Sequence, residues 1–475
     1  MTLSTLDLSV LIVYLIFSVG LGFYFSRFQK SAKEYFLGSR EISWPAVCLS
    51  IVATETSTLT FIGVPALSFG GNMTFMQITI GYLVARILVS VLFLPAYYRK
   101  EIFTAYNFIE HRFGDATRKT ASGIFMVTRL FADGVRIFAT AIPLSIVTGL
   151  SYPASIAIIC AVTIVYTYLG GLRAVIWMDV IQISIYLIGA IIAIAVMLGK
   201  IPGGWAEVMA VGGSSGKFDV LDFSFDLTTT YTVLSGLLGG AMLGMASHGT
   251  DQLIVQRLLA CRNLRDSQKA LVGSGVLVII QFLFFLFIGA MLFVFYQHFP
   301  EKLSISRNDE VFPLFIVQEL PAGVGGLIIA AIFAAAMSTL SSSLNSLASS
   351  SIIDWIKPML KAEWSEKQEL LYSRLATIGW AVLLIFMAIL AGNWENVLEA
   401  GLSIASLTYG GLLGAFLLAL TKQNLQQRHV IIAMLCGLVM MLWVRTLGVA
   451  WPWFVPIGTL TTVVAAYVSR LVLRN

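Results

Sequence analysis

"IVATETSTLTF", residues 51–61, lies inside a long apolar run. With Ser50 just ahead of it, the stretch carries Glu55 and six hydroxyl side chains: Ser50, Thr54, Thr56, Ser57, Thr58 and Thr60. One or two hydroxyls in an apolar helix ordinarily bond the preceding turn of their own backbone. Six of them beside a carboxylate, followed by Gly63 and Pro65, make a poor continuous helix. A break there would free backbone carbonyls, which a bilayer tolerates only where they line a cavity or ligate something. The stretch therefore predicts a broken membrane helix that holds a ligand, provided that the chain is a membrane protein.

The rest of the chain supplies that condition. Of 475 residues 58% are hydrophobic and 12% charged, and the mean hydropathy is +0.87. These values lie outside the soluble globular range. Apolar runs long enough to cross a bilayer as helices recur from end to end. Thirteen spans are expected, at 6–26, 42–69, 74–98, 120–149, 152–169, 174–199, 229–256, 270–298, 322–352, 370–391, 396–420, 429–448 and 451–470. The first lacks a basic start and a small-residue cleavage site and reads as a retained span. Of the 30 Lys and Arg residues, 22 fall in connections on one side, Arg257 among them, and four on the other; Arg86, Arg129, Arg136 and Arg445 fall within spans. By the positive-inside rule the N-terminus is outside and the C-terminus cytoplasmic. The fold class is all-α and polytopic.

Three further clusters put polar groups where the bilayer charges a few kcal/mol for each unpaired charge. "FAAAMSTLSSSLNSLASSS", 333–351, sets Ser338, Ser341 or Ser342, Asn345 and Ser349 at spacings of three and four, one polar stripe on a helix. A packing seam of small residues is the ordinary reading, and hydroxyl oxygens without a charged donor also suit a hard cation. "YLGGLRAVIWMDVIQ", 168–182, places Asp179 inside a span: an ion ligand, a proton relay or half of an internal salt bridge. "GMASHGTDQLIVQRLLACRNLRDSQKA", 244–270, interrupts an apolar run with His248, Asp251, Gln252 and Gln256, and reads as a second broken helix. The four cysteines are scattered and form no CxxC. No HExxH, GxSxG or Walker pattern occurs, and the reading is that the chain is not an enzyme.

Two broken helices about 190 residues apart point to a transporter of inverted repeats with its site at the midplane. The spacing divides the chain into an extra N-terminal helix and linker (1–41), a first repeat (42–199), an exterior loop (200–228), a second repeat (229–420) and two C-terminal helices (421–475). "YTYLGGLRAVIWMDVIQ", "AAIFAAAMSTLSSSLNSLASS", "KEYFLGSREISW" and "GTDQLIVQRLLA" resemble the fingerprints of the sodium/solute symporter family, over about residues 5–420. The resemblance implies a LeuT-type five-plus-five fold with an extra N-terminal helix. It also implies sodium-coupled symport of a small organic solute (a sugar, a sialic acid or another carboxylate) by alternating access.

Carried over residue by residue, the family's common sodium site falls on the carbonyls of Ala53, Thr56 and Ala335 and the hydroxyls of Ser338 and Thr339. Asp179, Ser341 and Ser342 occupy the positions of a second sodium site, so one or two Na+ ions are expected. Ser57, Thr58 and Thr60 match positions that contact substrate in carboxylate-transporting relatives. Glu55 departs from the family, where a neutral residue is usual. It pairs with Arg129 or Arg136, or binds an amine or hydroxyls of the substrate; the sequence leaves these open. Arg129 and Arg136, seven apart with Asp133 between, share a helix face and could clamp a carboxylate. Phe61, Phe75, Gln77, Tyr82 and Gln252 are candidates for the wall. The expected partners are the solute, sodium and the lipid bilayer, with no nucleic acid and no obligatory protein partner. The expected location is the plasma membrane, a bacterial inner membrane in view of the short C-terminal tail. The alternatives are a proton-coupled or uncoupled transporter of the same fold, with Asp179 or Glu55 as carrier, and a transporter-like sensor. The want of a signalling domain argues against the sensor.

Overall fold

The computed structural model describes residues 5–27, 31–56, 58–100, 102–360, 363–391 and 397–473. Among these the chain is helical, with a single isolated β-bridge between Ile42 and Cys261. The elements that position the site are α1 (Thr5–Ser26), α2 (Trp44–Glu55), α3 (Thr58–Gly70), α4 (Met76–Arg99), α5 (Asp115–Thr148), α6 (Tyr152–Lys200), α7 (Gly240–Gly249), α8 (Gln252–Leu259), α9 (Leu264–His298), α10 (Val324–Ser350), α11 (Glu366–Leu390), α12 (Val397–Leu420), α13 (Gln427–Thr446) and α14 (Phe454–Val472). Nine helices among the described residues are long and apolar enough to cross a bilayer, and the bent pair α2/α3 makes a tenth. The other expected spans are helical too: α5, the first half of α6, and α7 with α8. Within α6 the two expected spans 152–169 and 174–199 are two helices that meet at a break at Gly171, whose φ of +54° and ψ of −158° are non-helical, open to glycine and strained for other residues.

The core is built around α10. Within its span, Val324–Leu360, 89% of the most apolar window is buried. Ala334, Ala335 and Ala336 carry little side chain, so neighbouring backbones approach closely. α6 packs against α10 along much of its length, and α2, α5 and α11 pack around it. The extra helix α1 is tied to the same element. The buried carboxylate of Asp7 accepts from the backbone N–H groups of Gly323 (2.7 Å) and Gly326 (2.6 Å), at the start of α10. A helix N-terminus leaves such donors unpaired and carries partial positive charge, which a carboxylate satisfies.

The 200–228 connection returns onto the bundle through Lys217. Its ammonium donates to the carbonyls of Phe69 (2.7 Å) and Gly71 (2.8 Å) at the C-terminal end of α3, and sits 4.0 Å from the Phe293 ring centroid. A cation there complements the helix dipole. Below this contact α3 and α9 are pressed together. A Cβ at Gly289 would stand 2.1 Å from the carbonyl oxygen of Pro65, so only glycine fits.

Candidate functional site

The first expected break is present. α2 ends at Glu55, and Thr56 leaves the helical region with φ −81° and ψ 76°. The chain resumes as α3 after a bend of 56°. The described hydroxyls of the stretch do what isolated membrane hydroxyls do. Thr54 bonds the Ser50 carbonyl (2.7 Å), Thr56 the Val52 carbonyl (2.8 Å) and Thr60 the Glu55 carbonyl (3.1 Å). Ser50 differs: it donates to Asp179 at 2.5 Å. The second break falls at Thr250 and Asp251, which have non-helical backbone angles. Asp251 then caps α8 by accepting from Leu253 N at 2.9 Å.

Ala53, Thr56, Ala335, Ser338 and Thr339 are all buried, with α2 packed against α10. Their oxygens are neutral carbonyls and hydroxyls, the donor set that suits a hard monovalent cation. Thr339 Oγ1 is 3.3 Å from the Ala335 carbonyl, and the Thr56 hydroxyl accepts from Gln281. Ser338 donates to Asp179 Oδ1 at 2.6 Å, so the two predicted sodium sites touch through one hydroxyl. Ser341 and Ser342 both donate to the Ser338 carbonyl, at 3.0 and 2.6 Å.

One sequence assignment is corrected here. Arg257 belongs to the bundle and not to a connection. It is 1% exposed and donates to Asp179 Oδ2 (3.0 Å), to Ser342 and, through Nε, to Ser50 (2.8 Å). The reason is electrostatic: α8 continues into the basic text "RLLACRNLR" as far as Leu259, and its inward arginine finds the buried carboxylate of α6. Unpaired, each would carry a desolvation cost of several kcal/mol.

Between the two breaks lies a cavity lined by Thr54, Glu55, Thr60, Phe75, Tyr82, Arg129, Arg136, Ser247, His248 and Tyr409, with apolar neighbours from α3, α7, α8, α9 and α12. Glu55 pairs with neither Arg129 nor Arg136. One of its oxygens takes the fully buried guanidinium of Arg86, and the other lies 3.0 Å from His248 Nε2. Arg129 is enclosed by Asp251, the Tyr409 hydroxyl (2.6 Å) and, more distantly, Asp133 (3.4 Å). Arg136 is the more open of the two. Its side chain is 21% exposed, and among the described residues its one ion pair is a 3.3 Å contact from Nη1 to Asp133 and its Nε has no partner. Asp133 is held from behind by Ser343 (2.5 Å).

Several candidates lie elsewhere. Gln77 is bound by Thr74 O, Tyr231 O and Asp222 N, which ties α4 to the 200–228 connection. Gln252 accepts from Ala105 N at 2.7 Å and reaches Ser349, off the cavity. Phe61 packs among Tyr186, Phe285 and Phe312. Ser57 lies outside the described residues, as does the side chain of Thr58. Arg86, His248, Ser247 and Tyr409 were not among the predicted site residues. Arg86 and His248 were visible as polar groups in apolar text; a single tyrosine in α12 carries no such signal.

A bundle with two interrupted helices whose breaks face one cavity with ionisable groups on its wall is a secondary transporter of the LeuT type. Solved structures agree. At 28% identity, a sodium-coupled sialic acid symporter in a substrate-bound outward-open state superposes with a TM-score of 0.92, covering 99% of this chain and 98% of its own. The closed form of Mhp1, a nucleobase-cation-symport-1 transporter, shares the fold at 14% identity and a TM-score of 0.62, covering 94% of this chain and 95% of its own. The chain belongs to the sodium:solute symporter family, whose model matches residues 35–437. Relatives include the sodium/sialic acid symporters NanT of Aliivibrio fischeri (30% identical, covering 99% of this chain and 94% of that protein) and SiaT of Proteus mirabilis (31%, 93% and 89%). The human sodium/iodide cotransporter is 29% identical over 95% of this chain and 71% of its own length. The protein is thus a sodium-coupled symporter of a small solute.

Proposed function

We propose that the chain imports a small organic carboxylate with sodium by alternating access, across a bacterial inner membrane, with its N-terminus outside and C-terminus in the cytoplasm. The observation that carries the substrate class is Arg136. It is a guanidinium on the cavity wall, part exposed, loosely paired and with Nε unpartnered. A planar fork so placed receives a carboxylate in two parallel hydrogen bonds. Arg129, closed in by Asp251 and Tyr409, holds the helices around the cavity instead. The naming of two bacterial relatives as sialic acid symporters supports an acidic solute.

Sodium is assigned to Ala53, Thr56, Ala335, Ser338 and Thr339, and a second ion to Asp179, Ser341 and Ser342. An ion at the first set ties the broken α2 to α10, favouring the outward-open state in which the substrate pocket is formed. Substrate then permits occlusion, and the two repeats, 42–199 and 229–420, rock against each other. In the cytoplasm sodium leaves first because its concentration there is low. Coupling requires that sodium and solute favour the same state, a reciprocal free energy of about 1–3 kcal/mol.

The test is thermal stabilisation of purified protein by sialic acids, sugars, monocarboxylates and amino acids, each in sodium and in potassium. Carboxylates that stabilise only in sodium, with the effect lost in Arg136→Ala, are the expected result. Sugars lacking a carboxylate that bind equally well to wild type and to Arg136→Ala would refute it.

A further inference from the structure

We infer that Gln281 is a positioning residue of the common sodium site: from α9 its amide fixes the Thr56 side chain, and with it the direction of the Thr56 carbonyl. The inference rests on the assignment of sodium to that carbonyl and deepens it, because it names what holds the broken helix in the conformation that the ion needs.

Thr56 caps the end of α2. Its N–H still bonds the Val52 carbonyl at 2.9 Å, so its nitrogen belongs to the helix. Its ψ of 76° does not; a helical residue has about −42°. This torsion aims a residue's own carbonyl, so the break turns the Thr56 oxygen out of the helical ladder. An oxygen freed in this way suits an ion only while the torsion is held. The side chain supplies the hold. The Thr56 hydroxyl donates to the Val52 carbonyl at 2.8 Å, which uses its one hydrogen. Only a donor can then face its lone pairs, and Gln281 faces them with Nε2. The same reasoning fixes the amide's orientation, with nitrogen toward Thr56 and Oε1 away from it.

For packing alone an apolar side chain would serve better. Gln281 is 4% exposed, and α9 lies against both halves of the broken helix. Its Oε1 is buried and has no hydrogen-bond partner among the described residues; the Tyr186 hydroxyl stands beside Gln281 and Thr56 but meets neither at hydrogen-bonding geometry. A stranded acceptor is a cost that leucine or methionine would not carry. Nor does Gln281 line the solute cavity, to which α9 contributes Phe282. A buried amide whose hydrogen bond goes to the residue at the break, at the expense of its own acceptor, serves the ion and not the fold.

The experiment uses sodium alone as the probe. Purified full-length protein is melted across a NaCl series balanced with KCl at constant ionic strength, and a sodium dissociation constant is fitted to the rise in Tm. The proteins are wild type, Gln281→Leu, Thr56→Val, their double variant and Thr339→Ala. Gln281→Leu is expected to raise the constant roughly 10-fold, as loss of a group that orients a metal ligand does, with no fall in Tm in KCl alone. Thr56→Val keeps the carbonyl, loses the hydroxyl and is expected to match it. The double variant is expected to stay near the same roughly 10-fold, because the two changes remove one contact. An unaltered constant in Gln281→Leu overturns the inference, as does a fall in Tm in KCl with sodium binding unchanged, the mark of a residue that only holds the fold. Factors that multiply in the double variant overturn it too, since Gln281 would then act by another route. Thr339→Ala separates this failure from failure of the site. If it weakens sodium while Gln281→Leu does not, the site stands and the positioning role falls. If neither does, or if wild type shows no rise in Tm with sodium, both fall. Gln281→Met, of similar length, replaces the leucine variant should that one not fold.

Discussion

Arg257 Nη2 lies 3.0 Å from Asp179 Oδ2, and the same guanidinium donates to Ser342 and Ser50. A tethered cation thus engages the oxygen atoms proposed for a second sodium. One carboxylate cannot fully compensate two cations in a buried setting, so Arg257 and the ion compete for the same charge.

Replacing Arg257 by Gln is therefore expected to make stability depend on sodium. In potassium the variant loses the partner of a buried carboxylate, a loss of about 3–5 kcal/mol. In sodium part of that loss returns, because an ion bound only by the folded state stabilises it by mass action. The measurement is the difference in Tm between NaCl and KCl at equal ionic strength. A difference no larger than in wild type would show that Asp179 holds no ion.

Thr339→Ala separates the common sodium site from the Asp179 cluster. Among the described residues the Thr339 hydroxyl bonds its own preceding turn alone, whereas Ser338 serves Asp179. Deleting it removes one neutral oxygen ligand, about 1–2 kcal/mol. The half-saturating sodium concentration in a substrate-binding assay should rise roughly 10-fold, with Tm in potassium unchanged. An unaltered sodium dependence would remove Thr339 from the ligand set.

Both helix breaks were legible because the bilayer makes polar text conspicuous: Glu55 among threonines, Asp251 beside Gly249. The pairing was not. Arg86, Arg129 and Arg136 all lie in apolar runs, and nothing in their spacing says that α4 rather than α5 supplies the partner of Glu55. That choice is made by the packing of α4 against α7 and α9. Arg257 was hidden by its company, since Arg262 follows in a true connection and Arg265 in the first turn of α9, while α8 carries Arg257 inward. Gln77 and Gln252 misled for a related reason: an amide in apolar text is equally suited to a substrate or to a stray backbone group, and both met backbone.

Glu319, in the helix Val311–Glu319 outside the spans, joins Lys200 (2.6 Å) and Lys302 (2.9 Å). Burial alone would raise its pKa, but the hydrogen bonds and charges of the two lysines outweigh burial and hold the carboxyl below its usual value. A depressed folded-state pKa contributes stability above the unfolded value, near pH 4.3, which is lost as pH falls through the folded value. Wild type should lose more Tm than Glu319→Gln between pH 5 and pH 3. The lysines are partly exposed, so the difference is small, about 1 kcal/mol at most. Parallel pH profiles for the two proteins would show that the cluster adds nothing.

Asp7 makes the last case, because it links a helix outside the repeats to the helix that carries Ser338 and Thr339. Its Oδ1 accepts from both Gly323 N and Gly326 N, and a Cβ at Gly326 would stand 2.4 Å from Asp7 Cα, so α1 and α10 meet backbone to backbone. Asp7→Ala leaves two N–H groups of a helix N-terminus unpaired, that of Gly326 buried and that of Gly323 part-buried, about 1–3 kcal/mol. Asp7→Asn keeps an acceptor of the same size and forfeits only the charge against the helix dipole, about 0.3–1 kcal/mol. The order of Tm should be wild type, Asn, then Ala. If α1 also fixes the axial position of α10, Asp7→Ala weakens sodium binding although Asp7 touches no proposed ligand. Thermal melts in potassium read the first effect, and sodium titration of substrate binding reads the second. A fall in Tm with sodium affinity intact would confine α1 to holding the fold, while Ala and Asn variants that melt with wild type would show that the carboxylate does not anchor α10 at all.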